Sequence, residues 1–230
     1  MPESPVMRYA DFLYGVTSER QLFRKILNLA EALGVQACSY RIRMPLPLSR
    51  PRSALHTTYP SAWRSVAPYQ QFIHGDTEGW TDITADALRG LLELPKGRFQ
   101  PRGGGPALRE HAWGWRDARG VVALLTLVTA EDRHAAEDAS GDLHPLARTA
   151  HAAMAEVIIG RLMPEANANI TTRERQVLVW TAEGKSVAEI SCILGISVST
   201  VNFHVRNVIA KLRASNRAHA AVKAAVLGIV

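Results

Sequence analysis

The sequence predicts an α+β chain in two parts, an α/β/α sandwich built on an antiparallel sheet, followed by a small all-α helix-turn-helix domain. Three observations predict it. Residues 171 to 217 carry four helix-start signals in succession. Helical patterns stand at both ends of a strand-rich middle, the arrangement of helices that cover a sheet. A chain of 230 residues with 47% hydrophobic content also suffices for one large core and one small one.

In chain order, Ser18 and Gln21 have the spacing of a capping box. They precede Leu22, Phe23, Ile26, Leu27, Ala30 and Leu33 at helical spacing, with a stop at Gly34. Strands are predicted at Ala37 to Met44, Ser53 to Thr57 and Val121 to Val128, and the basic, glycine-rich stretch PKGRFQPRGGGPALRE reads as an insert before the last of them. His144 to Leu162 has helical composition, with Pro145 suited to a first turn. The prediction places the first domain at 1–163, a linker at 164–170 and the second domain at 171–230.

Within the second domain, Thr171 with Glu174 and Ser186 with Glu189 both fit the capping box, in which hydroxyl and carboxylate satisfy orphan N–H groups at a helix start. The first helix should stop at Gly184 and the second near Leu194, leaving Gly195 and Ile196 for a tight turn. Ser197 then caps a third helix, and Ser215 or Asn216 a fourth. At about 100° per residue, Val201, Val205, Val208 and Leu212 of the third helix form one narrow core stripe. Opposite lie Ser199, Asn202, Phe203, Arg206, Ala210 and Arg213, a face without an acid. Asn202 and Arg206 sit one turn apart and are the two residue types whose forked hydrogen bonding matches adenine and guanine edges in the major groove. Phe203 beside them suits a thymine methyl or plain packing.

Charge agrees with a polyanionic partner. Residues 171–230 hold three Lys and five Arg against three Glu, so nearly all of the chain's net charge of +6 is local to this domain. Lys185, Lys211, Arg213 and Arg217 are the expected phosphate contacts, with Ser199 and Thr200 at the helix start. No apolar run is long enough to span a membrane, and the start MPESPVMRYADF lacks a signal peptide's apolar core, so a cytoplasmic protein is expected. Cys38 and Cys192 read as reduced core residues with no metal-ligand partner at useful spacing. No nucleophile–base–orienter arrangement or phosphate-cradling glycine loop is visible, which argues against an enzyme.

These residues also carry a family resemblance. Glu174, Leu178, the run Gly184 to Ser186, Glu189, Ile190, the turn Ile196 to Thr200 and the run Thr200 to His204 together resemble the DNA-binding domain of LuxR-type quorum-sensing regulators. Ser191 stands where that family usually has alanine. The run RMPLPLSRP and then TYPSAW resembles the CepR/RhlR-like branch. One helix contacting a few base pairs falls short of operator specificity, so a homodimer on an inverted-repeat operator in double-stranded DNA is expected, and the resemblance implies contact with RNA polymerase and an N-acyl-homoserine lactone as ligand, with no other cofactor. It implies ligand-binding roles for Tyr59, Trp63, Asp76, Trp80 and Thr126. An acyl lactone offers two carbonyls and an amide N–H, so a buried site needs two donors and an acceptor, which Trp63, Tyr59 and Asp76 can supply. The sensor domain also diverges from the family. Ala67 replaces an aromatic, Thr77 a proline and Glu110 a glycine near the ligand, and Trp80 follows Asp76 closely. A carboxylate facing an acyl chain is costly unless paired. The alternative readings are a regulator independent of lactone, an antagonist acting through heterodimers, or a sensor of another small molecule.

Overall fold

Glu19–Glu31 forms a helix, α1, and it buries Leu22, Phe23, Ile26 and Ala30 as the stripe required. Its start differs from expectation. Ser18 occupies the N-cap position, but its side chain makes no capping bond, so the box with Gln21 does not form. The first turn carries Glu19 instead, whose negative charge suits a helix N-terminus; its carboxylate meets His56 at 3.0 Å. These features belong to a computed structural model that describes Tyr9, Leu13 and residues 15–58, 108–130 and 136–230.

Among the described residues four strands follow, β1 (Val35–Arg43), β2 (Ser53–Thr57), β3 (Leu108–Arg116) and β4 (Val122–Ala130), in the spatial order β2-β1-β4-β3 with every pairing antiparallel. β3 had not been expected. Its sequence, LREHAWGWR, hides the strand behind charges and a glycine, yet His111, Trp113 and Trp115 alternate as a strand requires. Register aligns Trp113 with Leu125 and Leu125 with Tyr40, and one residue along it aligns Ala112 with Thr126 and Thr126 with Ser39. Alternation then puts Tyr40, Ile42, Leu125, Leu127 and Trp115 on one face, and Ser39, Thr126 and Val128 on the other. Residues of both faces are buried, as in a sandwich.

A long helix, α2 (Ala136–Leu162), covers the Tyr40 face. Tyr40 Oη and His151 Nδ1 form a buried hydrogen bond at 3.0 Å, and the His151 ring stacks on Trp115 at 4.2 Å and 1°. Burial lowers the His151 pKa from 6.5 to about 3, so the ring is neutral. The helix starts well before His144, which makes Pro145 an interior residue rather than a first-turn one. An interior proline costs about 3 kcal/mol through a lost bond and a ring clash. Burial of Leu143, Leu146, Ala147, Ala150, Met154 and Ile158 along the same helix offsets that cost.

The chain divides into two compact units, and the second comprises Met44–Arg52, Ala118–Gly120 and Ile159–Val230. It holds a 3-10 turn at Pro164–Asn167 and helices α3 (Thr172–Ala182), α4 (Val187–Leu194), α5 (Val198–Lys211) and α6 (Arg217–Val226). Both predicted capping boxes are formed. The Glu174 and Glu189 N–H groups donate to Thr171 and Ser186 hydroxyls at 3.3 Å, and the two carboxylates accept from the Thr171 and Ser186 N–H groups at 2.8 Å. Ser197 caps α5, accepting from Thr200 N–H at 3.1 Å, and Asn216 rather than Ser215 caps α6, accepting from His219 N–H at 2.8 Å. Gly195 ends α4 at φ +63°, a left-handed conformation that a side chain would strain. Ser191 Oγ donates to Ile196 O at 2.6 Å and so closes the same turn. α4 and α5 meet at 110° around a core of Val177, Ile190 and Val201. Cys192 is exposed, against expectation, because it lies about 200° around α4 from the buried Ile190. Cys38 is buried on β1, which pushes its thiol pKa up to about 12. Among the described residues no single helix is long and apolar enough to cross a membrane.

Candidate functional site

α5 turns its predicted core stripe inward. Val201, Val208 and Leu212 are buried and Val205 is half-buried. The opposite face stands in solvent, with Ser199, Asn202, Phe203, Arg206 and Ala210 all exposed. Phe203 is 52% exposed, far more than a packing role would leave, and its ring meets His204 edge-on at 5.5 Å. Ser199 and Thr200 belong to a hydroxyl cluster on the Ser197 cap, at 2.7 and 2.8 Å from Ser197 Oγ. Val198, at the first position of α5, is 47% exposed, a position the sequence analysis leaves unassigned. An exposed apolar group beside a reading face suits a thymine methyl.

The basic residues divide into two kinds. Arg206 and Arg213 are exposed and Lys185 is half-buried at the turn into α4. Arg213 has φ +50° at the end of α5, where the Ala214 N–H returns to Ile209 O at 2.9 Å to close the helix. Lys211 and Arg217 are engaged within the domain. Lys211 Nζ donates to Glu174 Oε2 at 2.7 Å and to Asn169 O at 2.8 Å, and Arg217 donates to Lys185 O. Burial alone would raise the Glu174 pKa, but hydrogen bonds from Lys211 and Thr171 outweigh it and hold the carboxyl below the usual range.

Lys223 changes the charge argument. It is buried on α6 beside Ala220, Ala224 and Leu227, and Glu165 of the 3-10 turn neutralises it at 2.9 Å. One of the eight cations in the local surplus is therefore unavailable to a polyanion. The signal was present in the sequence, because position 223 falls on the same stripe as 220, 224 and 227.

In the first unit, Thr126 is buried on β4, and its hydroxyl donates to Ser39 O at 3.4 Å. Glu110 pairs in backbone register with the buried Val128. Tyr59, Trp63, Asp76 and Trp80, with Ala67 and Thr77, lie outside the described residues.

Comparison with known proteins agrees with both halves. Residues 168–224 match the family described as bacterial regulatory proteins, luxR family, and residues 18–77 match the autoinducer binding domain. The transcriptional activator protein SolR of Ralstonia nicotianae is 38% identical over 92% of this chain and 93% of its own length. The transcriptional repressor ThaA of Burkholderia thailandensis is 33% identical, over 90% of each. In fold, the chain is similar to Escherichia coli SdiA. One SdiA structure, in complex with octanoyl-rac-glycerol, gives a TM-score of 0.66 at 24% identity, covering 99% of this chain and 97% of that one. The LuxR family comprises transcription regulators, not enzymes, and its autoinducer-binding domain takes a small molecule. With identity spread along nine-tenths of its length and a match in each domain, the chain belongs to the LuxR family of quorum-sensing, DNA-binding transcriptional regulators.

Proposed function

We propose that this regulator works in the cytoplasm as a homodimer. Residues 1–163 sense an N-acyl-homoserine lactone, 164–170 link, and 171–230 read an inverted repeat. The observation that carries the DNA half is the exposed, acid-free face of α5, on which Asn202 and Arg206 stand one turn apart. These two read base edges, with Phe203 and Val198 beside them. Lys185, Arg213, Ser199 and Thr200 hold phosphates. Lys211 and Arg217 contribute through the internal contacts they make. One helix reading a few base pairs has too little specificity alone, which favours two half-sites about one helical turn apart.

Arg206→Ala should cost about 1 to 3 kcal/mol on a cognate duplex selected from random sequences. Lys185→Ala should weaken binding to all duplexes alike and flatten the salt dependence by about one unit of slope. Equal losses on cognate and random DNA for Arg206→Ala would remove it from the base readers.

The ligand half rests on the match at 18–77, which contains Tyr59, Trp63 and Asp76. Trp63 and Tyr59 donate to the two carbonyls, Asp76 accepts from the amide N–H, and Trp80 and Thr126 complete the wall. Asp76→Ala leaves that N–H without an acceptor. The variant should lose about 1 to 3 kcal/mol of lactone affinity and the matching ligand-induced rise in Tm. A second reading, an acyl ligand with another head group, draws on the acylglycerol bound to SdiA and on Glu110 in the row of Val128. Mass spectrometry of protein purified from cells supplied with mixed acyl-homoserine lactones separates the two. A co-purifying lactone supports the first, and its absence with no melting shift for any chain length overturns it. SolR is named an activator and ThaA a repressor, so both signs of regulation occur among relatives.

A further inference from the structure

The recognition helix α5 is held at its C-terminal end by two lysines that reach back to the segment preceding α3. Lys211 bridges Glu174 and Asn169 O. Lys223 does more. Its three donors go to Glu165 Oε1 at 2.9 Å, to Leu212 O at 3.0 Å and to Arg213 O at 3.2 Å, so one buried ammonium joins the linker carboxylate to the C-cap carbonyl of α5 and to the carbonyl that follows it. The Leu212 carbonyl is one of the orphan acceptors of the helix end, and a cation there suits the negative end of the helix dipole. Glu165 is 4% exposed and Lys223 7%. On the other side of the turn, Arg52 of the β1–β2 loop donates to Leu162 O, which brings that loop into the same unit as the linker.

A solvated tether would have no need to bury a carboxylate. The burial is tolerable only because every donor of Lys223 is used, and any shift of the linker by a hydrogen-bond length would break the set. The seat of α5 and the position of Glu165 are therefore one geometric variable. We propose that Glu165 is a positioning residue for DNA reading: through Lys223 it fixes the C-terminal seat of α5, and so the placement of Asn202 and Arg206, making the linker part of the reading apparatus.

This rests on α5 being the reading helix. Its test compares cognate and random duplexes on the full-length protein, well below the melting temperature. Glu165→Gln alone leaves a buried ammonium unpaired and will lower stability, so the informative protein is Glu165→Gln/Lys223→Met. That protein replaces the pair by neutral groups of similar shape and should recover most of the lost Tm. It cannot rebuild the bridge to the Leu212 and Arg213 carbonyls. The ratio of cognate to random affinity should then fall by about five- to twenty-fold with the salt slope unchanged, because the phosphate contacts remain. A double variant that melts like wild type and keeps the wild-type ratio, while Arg206→Ala lowers it, overturns the inference. A flat response from Arg206→Ala as well overturns the reading of α5, and this inference with it.

Discussion

Glu165→Ala should destabilise the helix-turn-helix domain by about 3 to 5 kcal/mol, the cost of stranding a buried ammonium whose partner has been removed. Lys223 is only 7% exposed, and its ammonium is bonded to Glu165 and to two carbonyls at the end of α5, so little water is at hand to replace the lost carboxylate. For a domain of this size, each kcal/mol moves Tm by about 4 to 8 °C, so calorimetry should show a fall of more than about 10 °C. Glu174→Ala is the useful contrast. It removes a capping box and an ion pair, but Lys211 is 36% exposed, and water can take over the freed ammonium. The expected loss is nearer the capping range, about 0.5 to 2 kcal/mol. Near-equal losses for the two variants would mean that the Lys223 pair is solvated.

Acid should unfold the sensor domain through His151. Burial lowers its pKa from 6.5 to about 3, so the unfolded chain binds the proton first as pH falls. The stability owed to the neutral ring is fully present above 6.5 and is lost as pH falls from 6.5 towards 3. The loss runs at about 1.4 kcal/mol per pH unit, or about 2 kcal/mol by pH 5. His111, lowered by burial and by the charge of Arg109, acts in the same direction. Glu165 and Glu174 sit below their usual 4.5 and add a second loss only under that value, in the other unit. His151→Phe should therefore flatten the curve between pH 6.5 and 5. At neutral pH it should cost about 1 to 3 kcal/mol for the abandoned Tyr40 hydroxyl. A curve as steep as wild type would assign the transition to other groups.

What the sequence determined by itself is whatever depends on neighbours three or four residues apart. The two capping boxes, the Ser197 and Asn216 caps, the left-handed Gly195 and the stripe of Val201, Val208 and Leu212 were all readable, since each is a hydrogen bond or a face closed within one helical turn. Strand β4 was readable as an apolar run rich in β-branched residues, and β1 and β2 as short non-helical runs bounded by glycine and proline. β3 was not, because its aromatic row gains its meaning from pairing with β4, and on paper the charges and the glycine dominate. The Ser18 box does not form, and the polar contact at that helix start is instead the long-range one of Glu19 with His56, 37 positions away.

The division of the basic residues shows the limit most clearly. By residue type alone Lys211, Arg213, Arg217 and Lys223 are interchangeable cations on one small domain, and helical angle singles out only Lys223. Only the folded chain decides that Lys211 faces Glu174 across 37 residues and Lys223 faces Glu165 across 58, while Arg206 keeps its guanidinium in solvent. Composition fixes how much positive charge a domain carries. Which charges reach a polyanion is decided by long-range packing, because a buried ammonium is tolerable only where the fold brings a carboxylate and free carbonyls to it.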